Sequence, residues 1–270
     1  MLDVLIANGM RLDLVKTARP RHAEALARAA AASGEQLVVA AGGDGTIAEV
    51  ASGIIGSDAK LGVIPLGTAN VLAHELALPF NARGIAAALA FGRTKWIWPG
   101  VVVGPQGTRL FVQMLGVGFD AHVVHHISPR LKRACGRGAY VLQTLRELPR
   151  YRFDPIRINI DGQERRAGSV VLTKGRLYAG KYRLAPEAQP LEPGFSVVVF
   201  ERAGPAAAMA YGAALPLNLL PRFAGVYRMR ASRVQILSTA SLPAQADGDP
   251  AGFAPLTVTD APLRIPIVAG

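Results

Sequence analysis

The stretch VVAAGGDGTIAEV, Val38 to Val50, empties an apolar run into two glycines, an aspartate, a third glycine and a threonine, and then resumes as a helix-like pattern. A strand that ends in glycines directly before a helix leaves room for an anion. Glycines let the backbone approach a phosphate without side-chain collision. The N–H groups of the helix start point at the anion, helped by the helix dipole. An aspartate among phosphates is otherwise repulsive, so Asp44 makes sense with Mg²⁺ present or as a polar orienter. Thr46 suits a cap or a phosphate contact. The same residues also read as a plain helix start with an Asp cap and a tight turn.

Outward from this stretch, residues 2 to 90 alternate short apolar runs with helical segments. RLDLVKT (Arg11 to Thr17), QLVVAAGG and AKLGVIPLG read as strands. Pro20 to Gly34, TIAEVASGIIG, TANVLAHELAL and ARGIAAALAFG read as helices, the first with Pro near its start and Gly at its end. Such alternation predicts a parallel sheet covered on both faces, with loops delivered to one edge where ligands bind. IPLGTAN, Ile64 to Asn70, repeats the design of strand, Gly67, Thr68 and helix, so the two Gly-Thr turns can converge on one ligand. From Trp96 onward the pattern becomes short strands punctuated by Gly, Pro and Asp-Gly turns, which predicts an antiparallel sandwich or barrel. Two helical stretches interrupt it, Arg130 to Leu148 and Ala206 to Leu220. The expected architecture is an α/β nucleotide-binding domain over residues 1–95 and a β-sandwich domain over 96–270, with a hinge near 91–96.

Half of the residues are hydrophobic and 18% are charged, which excludes a disordered chain. The net charge of +11 favours acidic partners such as anionic lipid, phosphorylated ligands or nucleic acid. No recognition helix or aromatic-interleaved sheet motif supports the last of these, so no nucleic-acid partner is expected. The single cysteine, Cys135, excludes an intrachain disulfide and fits a reducing compartment. MLDVLIANGM lacks a basic leader and does not read as a signal peptide. The uncharged run from Pro205 to Pro221 is too short for a span and is broken by Pro216. No Walker A pattern is present.

GGDGTIAEV (Gly42 to Val50), IPLGTAN and the later DGD (Asp247 to Asp249) together resemble the three signature loops of the diacylglycerol-kinase-like lipid kinases. GVGFDAHVV (Gly116 to Val124), Leu131 to Leu148 and YRLAPEA (Tyr182 to Ala188) extend the resemblance over most of the chain. It implies an α/β nucleotide domain followed by a β-sandwich, with the active site in the cleft between them. It further implies ATP-dependent, Mg²⁺-assisted phosphoryl transfer to a lipid hydroxyl, in the cytoplasm and peripherally at the inner, anionic membrane face; a homodimer stays open. Carried over, Gly42, Gly43, Asp44, Gly45 and Thr46 handle ATP phosphates and metal. Gly67, Thr68 and Asn70 form the second nucleotide loop, Thr17 lies before the first helix near the nucleotide, and Asp249 is the general base. Without the family, QADGDP reads as an Asp-Gly hairpin turn between RVQILS and LTVTD.

The sequence departs from the family pattern at several points. The Asn-Pro-x-Ser-Gly turn after a first strand is missing, with IANG (Ile6 to Gly9) its only echo. Val71 stands where many members carry Asp, Asp249 where Glu is usual, and LEPGF (Leu191 to Phe195) where an Asp-Gly is common. The missing first strand, Val71 and Asp249 keep open a non-catalytic nucleotide- or lipid-binding relative; a soluble-substrate kinase such as an NAD kinase is a further alternative, against which the GTAN loop and the long helix after it argue. His122, His125 and His126 have a spacing that a metal can use, or are helix-face residues near the cleft. Arg130, Lys132, Arg133 and Arg137 beside apolar AYVLQTL, and Arg222, Arg228, Arg230 and Arg233 after Ala206–Leu220, suit a membrane surface or a solvated face. Trp96 and Trp98 are expected in core or interdomain packing.

Overall fold

The computed structural model describes residues 2–128, 136–238 and 242–269. Its first part comprises α1 (Leu2–Ala7), α2 (His22–Ala32), β1 (Leu37–Gly42), α3 (Asp44–Ile54), β2 (Lys60–Pro65), α4 (Val71–Glu75), α5 (Ala82–Phe91) and β3 (Arg93–Ile97). Then follow β4 (Gly100–Gly104), β5 (Gly107–Phe111), β6 (Met114–Val117), α6 (Phe119–His126), α7 (Arg137–Glu147), β7 (Ile156–Ile160), β8 (Gln163–Ala167) and β9 (Ser169–Thr173). After the short pair β10 (Leu177–Tyr178) and β11 (Tyr182–Arg183) come β12 (Phe195–Phe200), α8 (Pro205–Ala214), β13 (Val226–Ala231) and β14 (Arg233–Ile236). The chain ends with β15 (Pro243–Ala246), β16 (Asp249–Phe253), β17 (Leu256–Asp260) and β18 (Ile265–Ala269).

The first sheet has the order β1-β2-β18-β3. β1 and β2 run parallel, with Leu37 opposite Lys60 and Gly42 opposite Pro65, so both strands end at the same edge. The strands carry Leu61, Val63 and Ile267 into a core that α3 completes with Ile47, Ala51 and Ile54. Burial of these β-branched and leucine side chains, each contributing about 1.5–3 kcal/mol, fixes where the loop at Gly42–Thr46 emerges. β18 joins this sheet from the far end of the chain, and β3 spans the expected boundary at 95/96. The N-terminal sheet is therefore completed by C-terminal residues.

Two six-stranded sheets, β13-β12-β9-β6-β15-β16 and β5-β4-β17-β14-β7-β8, form the sandwich. Val117, Val170, Leu172, Phe195 and Val197 from the first face Ile156, Ile158, Val234, Ile236 and Val258 from the second in one apolar layer. Alternate residues of each strand supply that layer, as sheet-on-sheet packing requires.

Several elements differ from the reading of the sequence. RLDLVKT forms no strand: residues 11–17 carry no regular structure, and Leu14 and Val15 are 72% and 58% exposed. A strand needs a ladder partner and one dry face, and here both are absent. RLFVQMLGVGF is two strands, β5 and β6, placed in opposite sheets. QADGDP does not simply link RVQILS to LTVTD. Those two pair directly as β14 and β17, while PAQA and DPAGF make an extra hairpin, β15–β16, in the other sheet. The helix read over TANVLAHELAL starts only at Val71, because Asn70 is left-handed at φ 48°, and stops at Glu75, ahead of the left-handed Ala77 at φ 55°. Trp96 is exposed, with the Arg264 guanidinium 4.4 Å from its ring centre, so it is not a core residue. Cys135, Arg130, Lys132 and Arg133 lie outside the described residues, as does the side chain of Arg137.

Candidate active site

The loops that leave β1 and β2 touch through their backbones. The Leu66 N–H donates to the Gly42 carbonyl at 3.0 Å. A Cβ added to Gly67 would stand 2.4 Å from the Gly43 Cα, so only glycine allows this approach. Thr46 folds back over Gly42, its hydroxyl 2.6 Å from where a Cβ there would sit. The convergence of the two Gly-Thr turns is thus a property of the fold.

Asp44 joins the loops more tightly. One carboxylate oxygen accepts the N–H of Val71 and the other that of Leu72, both at 3.0 Å. Asp44 begins α3, yet it caps α4, satisfying N–H groups that a helix start leaves without partners. Burial raises its pKa, against the pull of the two N–H bonds. Each oxygen keeps a lone pair for a further contact. Asn70 shapes the second loop. Its Oδ1 accepts the Gly67 N–H at 2.8 Å, and its amide donates to the Gly67 carbonyl at 2.8 Å.

The late turn arrives on this surface. Asp247 (φ 51°) and Gly248 (φ 83°) form the two-residue turn of the β15–β16 hairpin, both in the left-handed conformation that such turns need. The next residue, Asp249, lays its carboxylate on the first loop: a Cβ added to Gly45 would stand 2.0 Å from Asp249 Oδ2. Arg109 Nη2 lies 3.9 Å from the same oxygen, and the Asp249 side chain is 42% exposed. Asp247 points the other way. Its carboxylate accepts the N–H groups of Val112, Gln113 and Met114 at 2.7, 2.9 and 2.9 Å, where the chain crosses from β5 to β6. Burial pushes its pKa up to about 7 despite the downward pull of those bonds, with the Asp44 charge adding to the rise.

Two supporting carboxylates were not singled out from the sequence. Asp120, at the start of α6, accepts from Tyr178 Oη at 3.2 Å and Gln245 Nε2 at 3.3 Å. Gln245 in turn accepts the Gly248 N–H at 2.9 Å, so this chain of bonds holds the Asp-Gly turn from below. Burial raises the pKa of Asp120, and burial with the Asp120 charge raises that of Tyr178 well above its usual value. Glu75, at the end of α4, accepts the backbone N–H groups of Arg176 and Leu177 at 2.8 and 3.0 Å and the Arg176 side chain at 2.7 Å. It ties the second Gly-Thr loop and α4 to the segment after β9. GVGFDAHVV and HELAL carried these residues in view, but nothing local in either run marks a carboxylate whose partners are far away in sequence.

The remaining candidates are dispersed. Thr17 lies on the exposed segment ahead of α2. Thr68 turns its methyl toward Gly136, at the start of α7. His125 bonds the Ala244 carbonyl through Nε2 at 2.8 Å and is separated from the contacts of its two neighbours. Beside LEPGF, the Lys174 ammonium bonds the Gly194 carbonyl at 2.7 Å and Asp260 at 2.5 Å. Arg228 and Arg230 are paired with Glu187 and Glu192, which reduces their supply of charge to a membrane. Among the described residues no helix is long and apolar enough to cross a membrane.

Residues 1–100 match the Diacylglycerol kinase catalytic domain family, and residues 113–269 match the YegS C-terminal NAD kinase beta sandwich-like domain family. The chain is 30% identical over 171 residues to a diacylglycerol kinase of Staphylococcus haemolyticus, covering 62% of this chain and 51% of that protein. It is 29% identical over 247 residues to a protein of Pseudomonas putida named probable lipid kinase YegS-like, covering 90% of this chain and 80% of that one. The chain spans about half the length of the first of these relatives. The crystal structure of a diacylglycerol kinase from Bacillus anthracis superposes with a TM-score of 0.76 at 20% identity, covering 99% of this chain and 88% of that one, which is a likeness of fold. With one family matching the loops of the α/β unit and the other matching the sandwich that delivers Asp249 to them, the chain belongs to the diacylglycerol-kinase-like family.

Proposed function

We propose that this protein transfers a phosphoryl group from ATP to the hydroxyl of a membrane lipid, with Mg²⁺ at the site. The observation that carries this reading is the seat of Asp249 on Gly45, which sets a partly exposed carboxylate beside a glycine-lined helix start. Phosphoryl transfer to an alcohol needs these two parts together, a cradle for phosphates and an acceptor for the hydroxyl proton.

Gly42, Gly43 and Gly67 let the two loops close on each other, and the N–H groups at the start of α3 suit a polyphosphate laid against that helix end. Thr46, Thr68 and Thr17 are the hydroxyls assigned to the nucleotide, and Asn70 keeps the second loop in shape. Asp44 holds the two loops in register, and its remaining lone pairs are those a Mg²⁺ would use. The ion would neutralise charge on the phosphate oxygens. Asp249 takes the acceptor's proton on a carboxylate oxygen, with Arg109 Nη2 3.9 Å away.

The lipid acceptor is supported by exposed apolar side chains. Val141, Leu142 and Leu145 lie on one side of α7 and are 63%, 38% and 50% exposed. α7 itself leans over the turn, with Tyr140 Oη 3.8 Å from where a Cβ at Gly248 would stand. A helix that dips this face into a membrane brings the site to the lipid hydroxyls. The protein then works peripherally at the cytoplasmic face, where anionic lipid complements its net charge of +11.

The test is transfer from labelled ATP, with Mg²⁺, to diacylglycerol, phosphatidylglycerol and sphingosine in mixed micelles, with NAD as a soluble acceptor. Transfer to one lipid, reduced about 100-fold or more in Asp249→Asn, supports the proposal. Transfer to NAD alone, or to a lipid with Asp249→Asn unaffected, overturns it.

A further inference from the structure

We propose that His122, His126 and Glu147 form a zinc site that clamps α6 to α7. His122 and His126 stand one turn apart on α6, with ring centres 4.1 Å from each other. Glu147 reaches them from the end of α7, its Oε2 2.9 Å from His122 Nε2. The ligand atoms of all three residues lie within 4.8 Å of one another. A tetrahedral zinc sets its ligand atoms roughly 3.3 Å apart, from bonds of about 2.0–2.2 Å, so modest side-chain movement completes the site.

The surroundings are those of a ligand set. His126 Nδ1 donates to the His122 carbonyl at 2.8 Å, which leaves Nε2 with its lone pair for a metal. Gln143 Nε2 donates to Glu147 Oε1 at 2.8 Å and leaves Oε2 facing the histidines. The ring of Tyr151, 4.8 Å from that of His122, closes one side. Glu147 is buried and His126 exposed, so a cation enters from solvent and keeps a water as its fourth ligand. Two imidazoles and one carboxylate select zinc over magnesium or calcium, which prefer all-oxygen shells. Zinc takes the place of the Nε2 hydrogen bond to Glu147, with the neutral His122 ring carrying its one proton on Nδ1 so that Nε2 offers its lone pair to the metal. His125, bonded to Ala244, takes no part.

The consequence lies in α7. Its last turn carries Glu147, while its first turns meet Thr68 and Gly248. A metal at Glu147 fixes this helix over the two loops. The site rests on geometry alone and stands whether or not the protein is a lipid kinase.

The test is equilibrium competition for Zn²⁺ between the full chain, stripped of metal, and a chromogenic chelator, in excess Mg²⁺. One equivalent of zinc is expected to bind. His126→Ala and His122→Ala should each weaken it more than tenfold, and Gln143→Ala about tenfold. Cys135→Ser should leave it unchanged. Because His126 is exposed, His126→Ala should keep the circular dichroism and the metal-free melting temperature of the parent. Absence of stoichiometric binding, displacement by Mg²⁺, or affinity unaltered in His126→Ala would each overturn the proposal.

Discussion

Asp249 and Gly45 lie 204 residues apart and are in contact, with the Asp249 Oδ2 only 2.0 Å from where a Cβ at position 45 would be. Asp249 therefore reaches the first loop at a residue that has no side chain. Gly45→Ala should displace Asp249 and lower kcat by about tenfold or more, while ATP affinity falls less. Single-turnover kinetics beside nucleotide-binding measurements would separate the two. An alanine variant with full kcat would show that this contact does not hold the proton acceptor.

Asp44→Asn should damage both activity and folding. An amide can accept from only one of Val71 and Leu72, and its NH₂ would face the other N–H. Leaving a buried donor unpaired costs about 1–3 kcal/mol. Urea denaturation should show that loss, where a residue that only met a metal would show none. Equal stability of the variant and the parent would contradict the capping role of Asp44.

The Asp247 carboxyl should make stability depend on pH. Its ordinary value of 3.8 applies to the unfolded chain, and burial raises it to about 7 in the folded one. Between these values the folded chain binds more protons than the unfolded one, so stability from this group is present below pH 3.8 and declines as pH rises to about 7. At about 1.4 kcal/mol per unit, the decline amounts to a few kcal/mol. Asp247→Asn should flatten it; denaturation midpoints measured from pH 4 upward with parallel slopes in both proteins would contradict this account.

The exposed side of α7 should govern binding to lipid. Val141→Glu with Leu145→Glu removes two apolar side chains from a membrane-facing surface, each worth up to about 1.5–3 kcal/mol when buried. Sedimentation with anionic vesicles should show at least a tenfold drop in partitioning. Transfer to a short-chain, water-soluble acceptor should stay near the parent rate. Unchanged partitioning would assign the membrane contact to another surface.

Much of this architecture was legible in the sequence. β-branched runs, glycine punctuation and helical stretches fixed the α/β unit followed by a sandwich, and GGDGT with GTAN marked the loops that do converge. Local rules sufficed because strand ends and helix starts are decided by neighbouring residues. RLDLVKT failed for the complementary reason. Its pattern suits a strand, but a strand exists only if another offers hydrogen bonds, and a pattern cannot supply a partner.

The roles of the carboxylates were decided by tertiary structure alone. Asp44 spends both oxygens on α4, Glu75 gives one oxygen to the 176–177 backbone and the other to the Arg176 side chain, Asp247 is locked under β5 and β6, and Asp249 is left partly exposed over Gly45. In the sequence these are four acids beside turns or helix ends. What separates them is which backbone N–H groups surround each and how far water is excluded, and both depend on residues 27 to 204 positions away. The sequence determined which chemical groups were present and the local shape of each loop. Long-range packing determined which groups cap the backbone and which face the cleft, because hydrogen bonding and desolvation act through space and not along the chain.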